Sequence, residues 1–291
     1  MVYCAIPPFP MADNRLRQKD MPMHKGFRFK SIKVISLVVK LLVVFYSAVG
    51  LSADLDFNRA GGEKVLVQLK LNTALKPKVM ELMYRSKLCK HTTSSASGKP
   101  IELDGYNEIE VELSNDGSSL LYYEVPLEAG TACDWKLSSI AFGVEYDGEG
   151  LFGHNLRYVG GGGVVVSFDE HMAHRGSNFP KKITGDLVLK QDYYPWVLER
   201  FIGGYEKAIG LAGNGFSYAT FIAPAARNIY FEPILHVDFP VFSVGPKVKA
   251  KGNKTVFIYP DGSTAVHALT EPVFKKLQAI RLQAEQALVK E

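Results

Sequence analysis

Strict alternation of apolar and polar residues is the feature of this 291-residue sequence that most restricts its fold. The alternation is clearest in Val65–Leu71, Tyr106–Leu113 and Leu120–Val125, which read VLVQLKL, YNEIEVEL and LLYYEV. Because successive side chains of a strand point to opposite faces, a period of two predicts half-buried strands. The last two runs are separated by a segment containing Asn115-Asp116-Gly117, which predicts a β-hairpin.

Similar but shorter patterns predict strands along the rest of the chain. These lie at Ser138–Tyr146, Val164–Phe168, Gly185–Lys190, Phe216–Ala223, Ile229–Val237 and Thr255–Tyr259. The fold class predicted from all these runs is mainly β, with antiparallel, sandwich-like sheets and a C-terminal amphipathic helix.

The C-terminal helix is predicted over Pro272–Val289, with Thr270 as a candidate N-cap. Its apolar residues recur at helical spacing, and we expect this stripe to pack on a sheet. The stripe consists of Phe274, Leu277, Ile280, Ala284 and Leu288. The segment Lys78–Arg85 follows Pro77 and is compatible with either a short helix or a strand.

The N-terminal region, residues 1–53, resembles a secretory leader. Its basic residues Lys25, Arg28, Lys30 and Lys33 precede an apolar core at Leu41–Tyr46 and then small residues, so cleavage is expected after Gly50 or Ala53. An uncleaved membrane anchor over Ile32–Val49 is the alternative. Lys40 argues against that anchor, because a lysine near the middle of a span costs roughly 2.5 to 3.5 kcal/mol.

The net charge of the mature chain bears on whether it binds nucleic acid. The leader contains eight Lys or Arg and two Asp, a net +6, whereas the whole chain is +4, so the mature chain is about −2. This balance does not favour a nucleic-acid ligand. Localisation is predicted to be periplasmic, with no stable membrane insertion after cleavage and an inner-membrane anchored form as the alternative.

Two cysteines, Cys89 and Cys133, remain once the leader, which contains Cys4, is removed. Met21 and Met23 are equally good starts, and we expect the true start to lie there, which would place Cys4 outside the protein. In an oxidising compartment an even number predicts a disulfide. Closing a loop of about 45 residues stabilises a fold by roughly 4 kcal/mol in the chain-entropy model. We expect Trp135 to pack near this bridge.

The mature chain is long enough for one large β unit or two smaller ones. A boundary is conceivable near residues 147–150, between a disulfide-containing β domain over 54–146 and a glycine- and aromatic-rich region over 151–291 that ends in the helix. The two parts are also compatible with a single unit.

Few motifs indicate catalysis. His171 and His174 have a spacing that could hold a metal on a helix, but no third ligand is evident. Ser217 lies in a G-x-S-x-A pattern, with Asp238 and His267 following in the order that α/β-hydrolases use. The surrounding FSYATFIA reads as a strand, whereas a nucleophile elbow requires a helix after the serine.

The four glycines at Gly160–Gly163 lack the lysine and helix of a phosphate-binding loop. They instead indicate a bend or a close approach of two backbones. No cofactor and no resident metal are therefore predicted.

The most aromatic segment, Gln191–Tyr205, reads QDYYPWVLERFIGGY. Tyrosine and tryptophan near arginine are enriched where proteins bind one another. The predicted partner-binding residues are Tyr193, Tyr194, Trp196, Arg200 and Phe201. Core packing is the alternative for each of these rings.

Several segments together resemble exported enterobacterial proteins associated with type VI secretion effector loci. These segments are YRSKLC, DGYNEIEVEL, CDWKLSSIAFGV, DYYPWVLERF, YFEPILHVDFPVFSVGPKVK and YPDGS, and they span Tyr84 to Arg281. The resemblance implies an immunity protein that binds and neutralises a cognate toxin in the envelope, and it assigns no residue a role. The function expected is thus non-enzymatic protein binding, with an envelope hydrolase that uses Ser217, or a metal at His171 and His174, as the alternative.

Overall fold

The computed structural model describes residues 62–113, 118–130, 132–148, 150–154, 156–169, 180–214, 218–266 and 271–289. These residues belong to one compact unit. They fold into two β-sheets packed face to face, with a helix on the outer face of one sheet. The predicted leader and its cleavage sites lie outside the described residues.

The first sheet has nine strands in the described part of the chain. They are β1 Lys64–Lys70, β5 Leu120–Pro126, β8 Arg157–Tyr158, β11 Leu187–Arg200, β12 Glu206–Ala212, β14 Asn228–Leu235, β15 Val241–Val244, β16 Val256–Ile258 and β17 Thr264–Val266. Their order is β17-β16-β15-β11-β14-β1-β5, with β12 also paired to β11 and β8 paired to β12.

The second sheet has eight strands among the same residues, in the order β10-β13-β9-β7-β3-β4, with β2 and β6 paired to β7. Its strands are β2 Leu75–Pro77, β3 Met80–Ser94, β4 Pro100–Val111, β6 Glu128–Ala129, β7 Trp135–Tyr146, β9 Gly163–Ser167, β10 Lys181–Lys182 and β13 Tyr218–Ile222.

The main core lies between the two sheets. Strand β1 contributes Val65, Val67 and Leu69, the apolar half of its alternation, and all three are buried. Across the interface, the ring of Phe142 on β7 meets that of Phe231 on β14 edge to face, with centroids 5.9 Å apart. Burying one such side chain is worth about 1.5 to 3 kcal/mol, so this interface supplies much of the stability.

A smaller core lies on the other face of the first sheet, beneath helix α1, Phe274–Leu288. Leu277 of the helix is fully buried with Tyr194 of β11, and Phe274 and Ile280 pack beside it. The predicted helix is confirmed. Of its apolar stripe, Phe274, Leu277 and Ile280 pack on the sheet, Ala284 is half-buried and Leu288 is exposed. The helix is preceded by Val273, and the candidate cap Thr270 lies outside the described residues. No helix of the described residues is long and apolar enough to span a bilayer.

The mainly β prediction is confirmed, but the sheets are mixed rather than antiparallel throughout. Strand β14 is parallel to both of its neighbours, β1 and β11, and β9 is parallel to β13. Parallel neighbours require long connections. In this fold the connections are long because the chain forms strands of the other sheet between the two paired strands. Alternation predicts which residues face inward, and it leaves the identity of the neighbouring strand open.

The predicted hairpin across residues 114–119 is wrong. Both of its runs form strands, but β4 pairs with β3 in the second sheet and β5 pairs with β1 in the first. The ambiguous segment 78–85 enters β3, whose first seven residues alternate between buried and half-buried as in a strand. Long β3 offers β4 a partner along most of its length, which explains why β4 does not fold back on β5.

Strands from both sides of the conceivable boundary at 147–150 share each sheet. Strand β1 pairs with β5 on one side and β14 on the other. Near the boundary, the glycine run connects the sheets: Val144 N–H donates to the Gly162 carbonyl and Leu211 N–H to the Gly160 carbonyl, each at 2.9 Å. A side chain at Gly161 would collide with the Leu211 carbonyl, which confirms the close backbone approach predicted there.

Candidate binding surface beside the disulfide

A disulfide joins Cys89 in β3 to Cys133 just before β7, with Cα atoms 5.2 Å apart. This is the predicted cysteine pair. Cys133 is buried in the main core and Cys89 packs against it. The bond thus fixes the outer half of the β3–β4 hairpin to the centre of the second sheet.

At the disulfide, β3 carries a bulge opposite β4. Ser86 is paired with Gly105 and His91 with Leu103, so four residues of β3, 87–90, lie opposite Asp104 alone. The buried Ser86 hydroxyl organises the bulge, because it accepts hydrogen bonds from the amides of Leu88 at 3.1 Å and Cys89 at 2.9 Å. It also donates to the Cys133 carbonyl.

Gly105 allows the bulge to lie close to β4. A Cβ atom at this position would collide with the Cys89 carbonyl and would lie 3.2 Å from the Trp135 ring. Trp135 therefore packs beside the Cys89 end of the bridge, in the same core cluster as Cys133.

Large apolar side chains lie on the surface at the bulge and on the adjacent strand β4. Leu88 is 68% exposed and Tyr106 is 59% exposed, and Leu103 and Ile101 are also exposed. His91 meets Tyr106 edge to face, with ring centroids 5.3 Å apart. We call Leu88, Ile101, Leu103 and Tyr106 the hairpin patch. Exposed apolar clusters held on a rigid frame are typical of interaction sites.

A cleft of about 1090 Å³ adjoins the hairpin patch. Across its floor the strand register places Tyr106, Arg85, Lys136 and Glu128 side by side on four strands. Lys136 lies 3.6 Å from Asp134 and 3.9 Å from Glu128. The cleft is thus charged with both signs and has an apolar rim, the composition of a protein-binding surface rather than of a closed small-molecule pocket.

The predicted partner-binding residues of β11 lie in different surroundings. Tyr193 is buried between the sheets and Tyr194 beneath α1, so neither can touch a partner in the folded chain. Trp196 is half-buried, and its indole N–H donates to Ser243 at 2.9 Å. Only the end of the segment is accessible: Arg200 is exposed, and Phe201 is half-buried, 5.4 Å from the ring of Tyr205.

Beneath α1, a polar network includes the side chains of Asp192 and Tyr194 of β11. Asp192 accepts hydrogen bonds from His236 at 2.7 Å and Gln278 at 2.6 Å. The Tyr194 hydroxyl donates to Gln278 at 2.9 Å and accepts from Arg281 at 3.2 Å. Burial opposes ionisation of Asp192, but the bonds from His236 and Gln278 outweigh it and hold its pKa below the ordinary value. The network joins the helix to the sheet.

Most of the candidate catalytic residues lie outside the described part of the chain. Ser217, His171, His174 and His267 lie outside the described residues, and Asp238 is exposed in a turn. Among the described residues, no three His, Cys, Asp or Glu side chains are close enough together to hold a metal ion. The envelope hydrolase remains a prediction from the sequence.

The hairpin patch was not predicted from the sequence. Leu103 and Tyr106 belong to alternating or near-alternating runs, in which an apolar residue predicts burial. No signal in the sequence separated these residues from buried ones, because the bulge depends on contacts among β3, β4 and Cys133.

Comparison of the chain with protein-family models, with curated proteins and with solved structures returned no match.

Proposed function

We propose that this chain is an exported, non-enzymatic protein that binds a protein partner through the hairpin patch and the adjoining cleft. The observation that carries the proposal is the exposure of Leu88, on the bulge fixed by the Cys89–Cys133 disulfide, and of Tyr106 on the neighbouring strand β4. Single exposed apolar side chains are common on protein surfaces, but several grouped beside a cleft are typical of interaction sites, so this grouping favours a partner that covers them.

Rigidity supports binding as the use of this surface. Ser86 bonds to two amides of the bulge and to the Cys133 carbonyl, and the disulfide closes the same segment. A surface that is already ordered loses little conformational entropy when a partner binds. The bulge therefore presents Leu88 in a fixed position, which favours a tight and specific complex.

The periplasm is the compartment that we propose. The basic and apolar pattern of residues 25–53 supports export, and the cysteine pair at bonding geometry supports an oxidising environment. A disulfide of this kind would not be maintained in a reducing cytosol.

The specific role that we propose is immunity against a toxin that acts in the cell envelope. The resemblance of the segments between Tyr84 and Arg281 to exported proteins of type VI secretion effector loci supports this role. An immunity protein needs only a stable fold and a surface complementary to its toxin, so a rigid patch meets its requirements without a catalytic site.

The test is whether the mature chain, expressed in the periplasm, forms a one-to-one complex with the product of a neighbouring gene and protects cells that express that product there. Ser217→Ala and His171→Ala variants serve as matched controls and should protect as well as the wild type. Loss of protection in either variant, with the fold intact, would instead support the envelope hydrolase. Absence of both complex and protection would refute immunity.

A further inference from the structure

We infer that the outer edge of β4 receives a β-strand of the partner, in which basic residues alternate with apolar ones. The inference rests on the proposed function and specifies the chemistry of the partner. It follows from the position of β4 in its sheet and from the side chains on its two faces.

Strand β4 ends the second sheet. It pairs with β3 along one edge, and no strand of the described residues pairs with its other, outer edge. Gly105 is the only buried residue of β4, so the described chain leaves the outer edge open to solvent. An edge strand presents a row of backbone N–H and C=O groups that can pair with a strand of another protein.

Length and composition distinguish β4 from the other strands at the ends of the two strand orders. Among the described residues, β10 has 2 residues, β17 has 3 and β5 has 7, whereas β4 has 12. Edges of sheets are commonly protected from other chains by short strands, by lysine or by proline. After Pro100, β4 contains neither lysine nor proline, so it lacks these protections.

The two faces of β4 differ in chemistry. Ile109 and Val111 lie on one face and pack against the main core. Ile101 and Leu103 follow on the same face and are exposed. The opposite face carries Tyr106 and the carboxylates of the strand, which are Glu102, Asp104, Glu108 and Glu110. A strand added at the outer edge extends both faces, so its side chains alternate between an acidic and an apolar surface.

The acidic face is most negative at one end of β4. Strand β3 places Glu81 opposite Glu110, so the acidic surface extends onto β3. At the other end of β4, Lys90 of β3 lies 3.8 Å from Glu102. The basic residues of an added strand are therefore expected beside Glu108 and Glu110.

These charges decide which strand fits the edge. Like charges directly opposite one another destabilise a strand pair, whereas opposite charges stabilise it. A second copy of β4, added antiparallel, would bring one acidic face beside another, so the edge disfavours self-association. A strand with lysine or arginine at every second residue instead places its charges beside Glu108 and Glu110 and its apolar residues beside Leu103.

The direct test is NMR hydrogen exchange of the mature chain with a capped peptide, Lys-Val-Lys-Val-Lys-Val-Lys. Alternate amides of an edge strand point away from its neighbour. We expect these amides of β4 to exchange more slowly as the peptide is added to millimolar concentration, while those of β5, an edge of the other sheet, stay unchanged. No slowing in β4, or equal slowing in β5, would overturn the inference.

Two control peptides test the charge and the strand separately. In one, glutamate replaces every lysine; in the other, proline replaces the central valine, which keeps the charge and prevents regular strand pairing. Neither should slow exchange in β4 as the lysine peptide does. Equal slowing by either control would overturn the inference.

Charge reversal tests the chemistry of the partner. Glu108→Lys with Glu110→Lys should weaken binding of the lysine peptide at least about 10-fold, because two attractive cross-strand contacts become repulsive. The matched control is Glu63→Lys with Glu124→Lys, the same change of charge at two exposed positions of the first sheet, and it should bind as the wild type does. Unchanged affinity of the first variant, or equal weakening of both, would overturn the inference.

The complex with the neighbouring gene product separates this inference from the function on which it rests. If no complex forms, the proposed function fails, while the peptide titration still reports on the edge of β4. If the complex forms and the outward amides of β4 exchange as in the unbound chain, the function stands and strand addition is wrong. Slower exchange of those amides in the complex supports both.

Discussion

The aromatic segment of β11 and the hairpin patch both place several large side chains close together, yet one is covered and the other is open. Tyr193 lies between the sheets and Tyr194 under α1, whereas Leu88 and Tyr106 lie on the surface. The difference depends on what packs against each strand. Composition alone therefore did not distinguish a core from an interaction surface.

The two regions also differ in their polar groups. Beneath α1, the Tyr194 hydroxyl both donates to Gln278 and accepts from Arg281. In the cleft, the Nε atom of Arg85 has no acceptor among the described residues. The groups beneath α1 are thus paired within the chain, whereas this donor in the cleft is not. Four predictions test this contrast, from the largest expected effect to the smallest.

Replacing both cysteines, Cys89→Ser with Cys133→Ser, should lower the free energy of unfolding by about 4 kcal/mol, because the disulfide restricts the unfolded chain. Urea denaturation of the variant and of the wild type measures this loss, and wild type with reductant provides the control. Hydrogen exchange should quicken most at residues 86–91 and little in β11. Equal quickening in both regions would contradict the local role of the bridge.

Gly105→Ala should destabilise the fold by about 2 to 3 kcal/mol, because the added methyl group collides with the Cys89 carbonyl and crowds Trp135. Gly130→Ala is the matched control: no atom lies within 4 Å of its added methyl group, so its unfolding midpoint should change little. If the two variants were equally stable, the tight contact at the bulge would be disproved.

Tyr194→Phe should cost about 1 kcal/mol, since it removes the hydroxyl that joins α1 to β11 through Gln278 and Arg281. Tyr122→Phe, at a tyrosine 73% exposed, should be neutral by the same chemical denaturation. A neutral Tyr194→Phe would show that the helix is held by apolar packing alone.

Acid should weaken the same junction by a smaller amount. The pKa of Asp192 in the folded chain lies below its ordinary value of 3.8, so its contribution is present above pH 3.8 and is lost as pH falls through the folded pKa. Asp192→Asn should therefore be less stable than the wild type at pH 7, and the difference should narrow by pH 3. Urea midpoints at both pH values measure it; a constant difference would contradict the role of the charge.

The sequence was sufficient for much of the local structure. Alternation correctly predicted β1 around Val65–Leu71, helical spacing predicted α1, and counting cysteines predicted the pair Cys89 and Cys133. Each of these follows from residues near one another in the chain or from a simple count.

The strand neighbours and the exposed patch could not be predicted from the sequence, because both depend on residues far apart in the chain. The run 106–113 pairs with β3, and the run 120–125 with β1, because competition among strands, not the turn between them, selects the neighbour. The exposure of Leu88 depends on a bulge that needs Ser86, Gly105 and Cys133 together. The open edge of β4 became evident only from the strand order, which no local pattern shows.

The account rests on the hairpin patch as the surface that a partner covers. The most direct test uses calorimetry to compare the affinities of two double variants for the neighbouring gene product. The first variant carries Leu88→Ser and Tyr106→Ala. The second carries Ile202→Ser and Tyr205→Ala, at the exposed end of the aromatic segment. We predict that the first variant loses at least about 2 kcal/mol of binding free energy and that the second binds as the wild type does. Normal binding by the first variant together with weakened binding by the second would contradict the account and return the partner site to the end of β11.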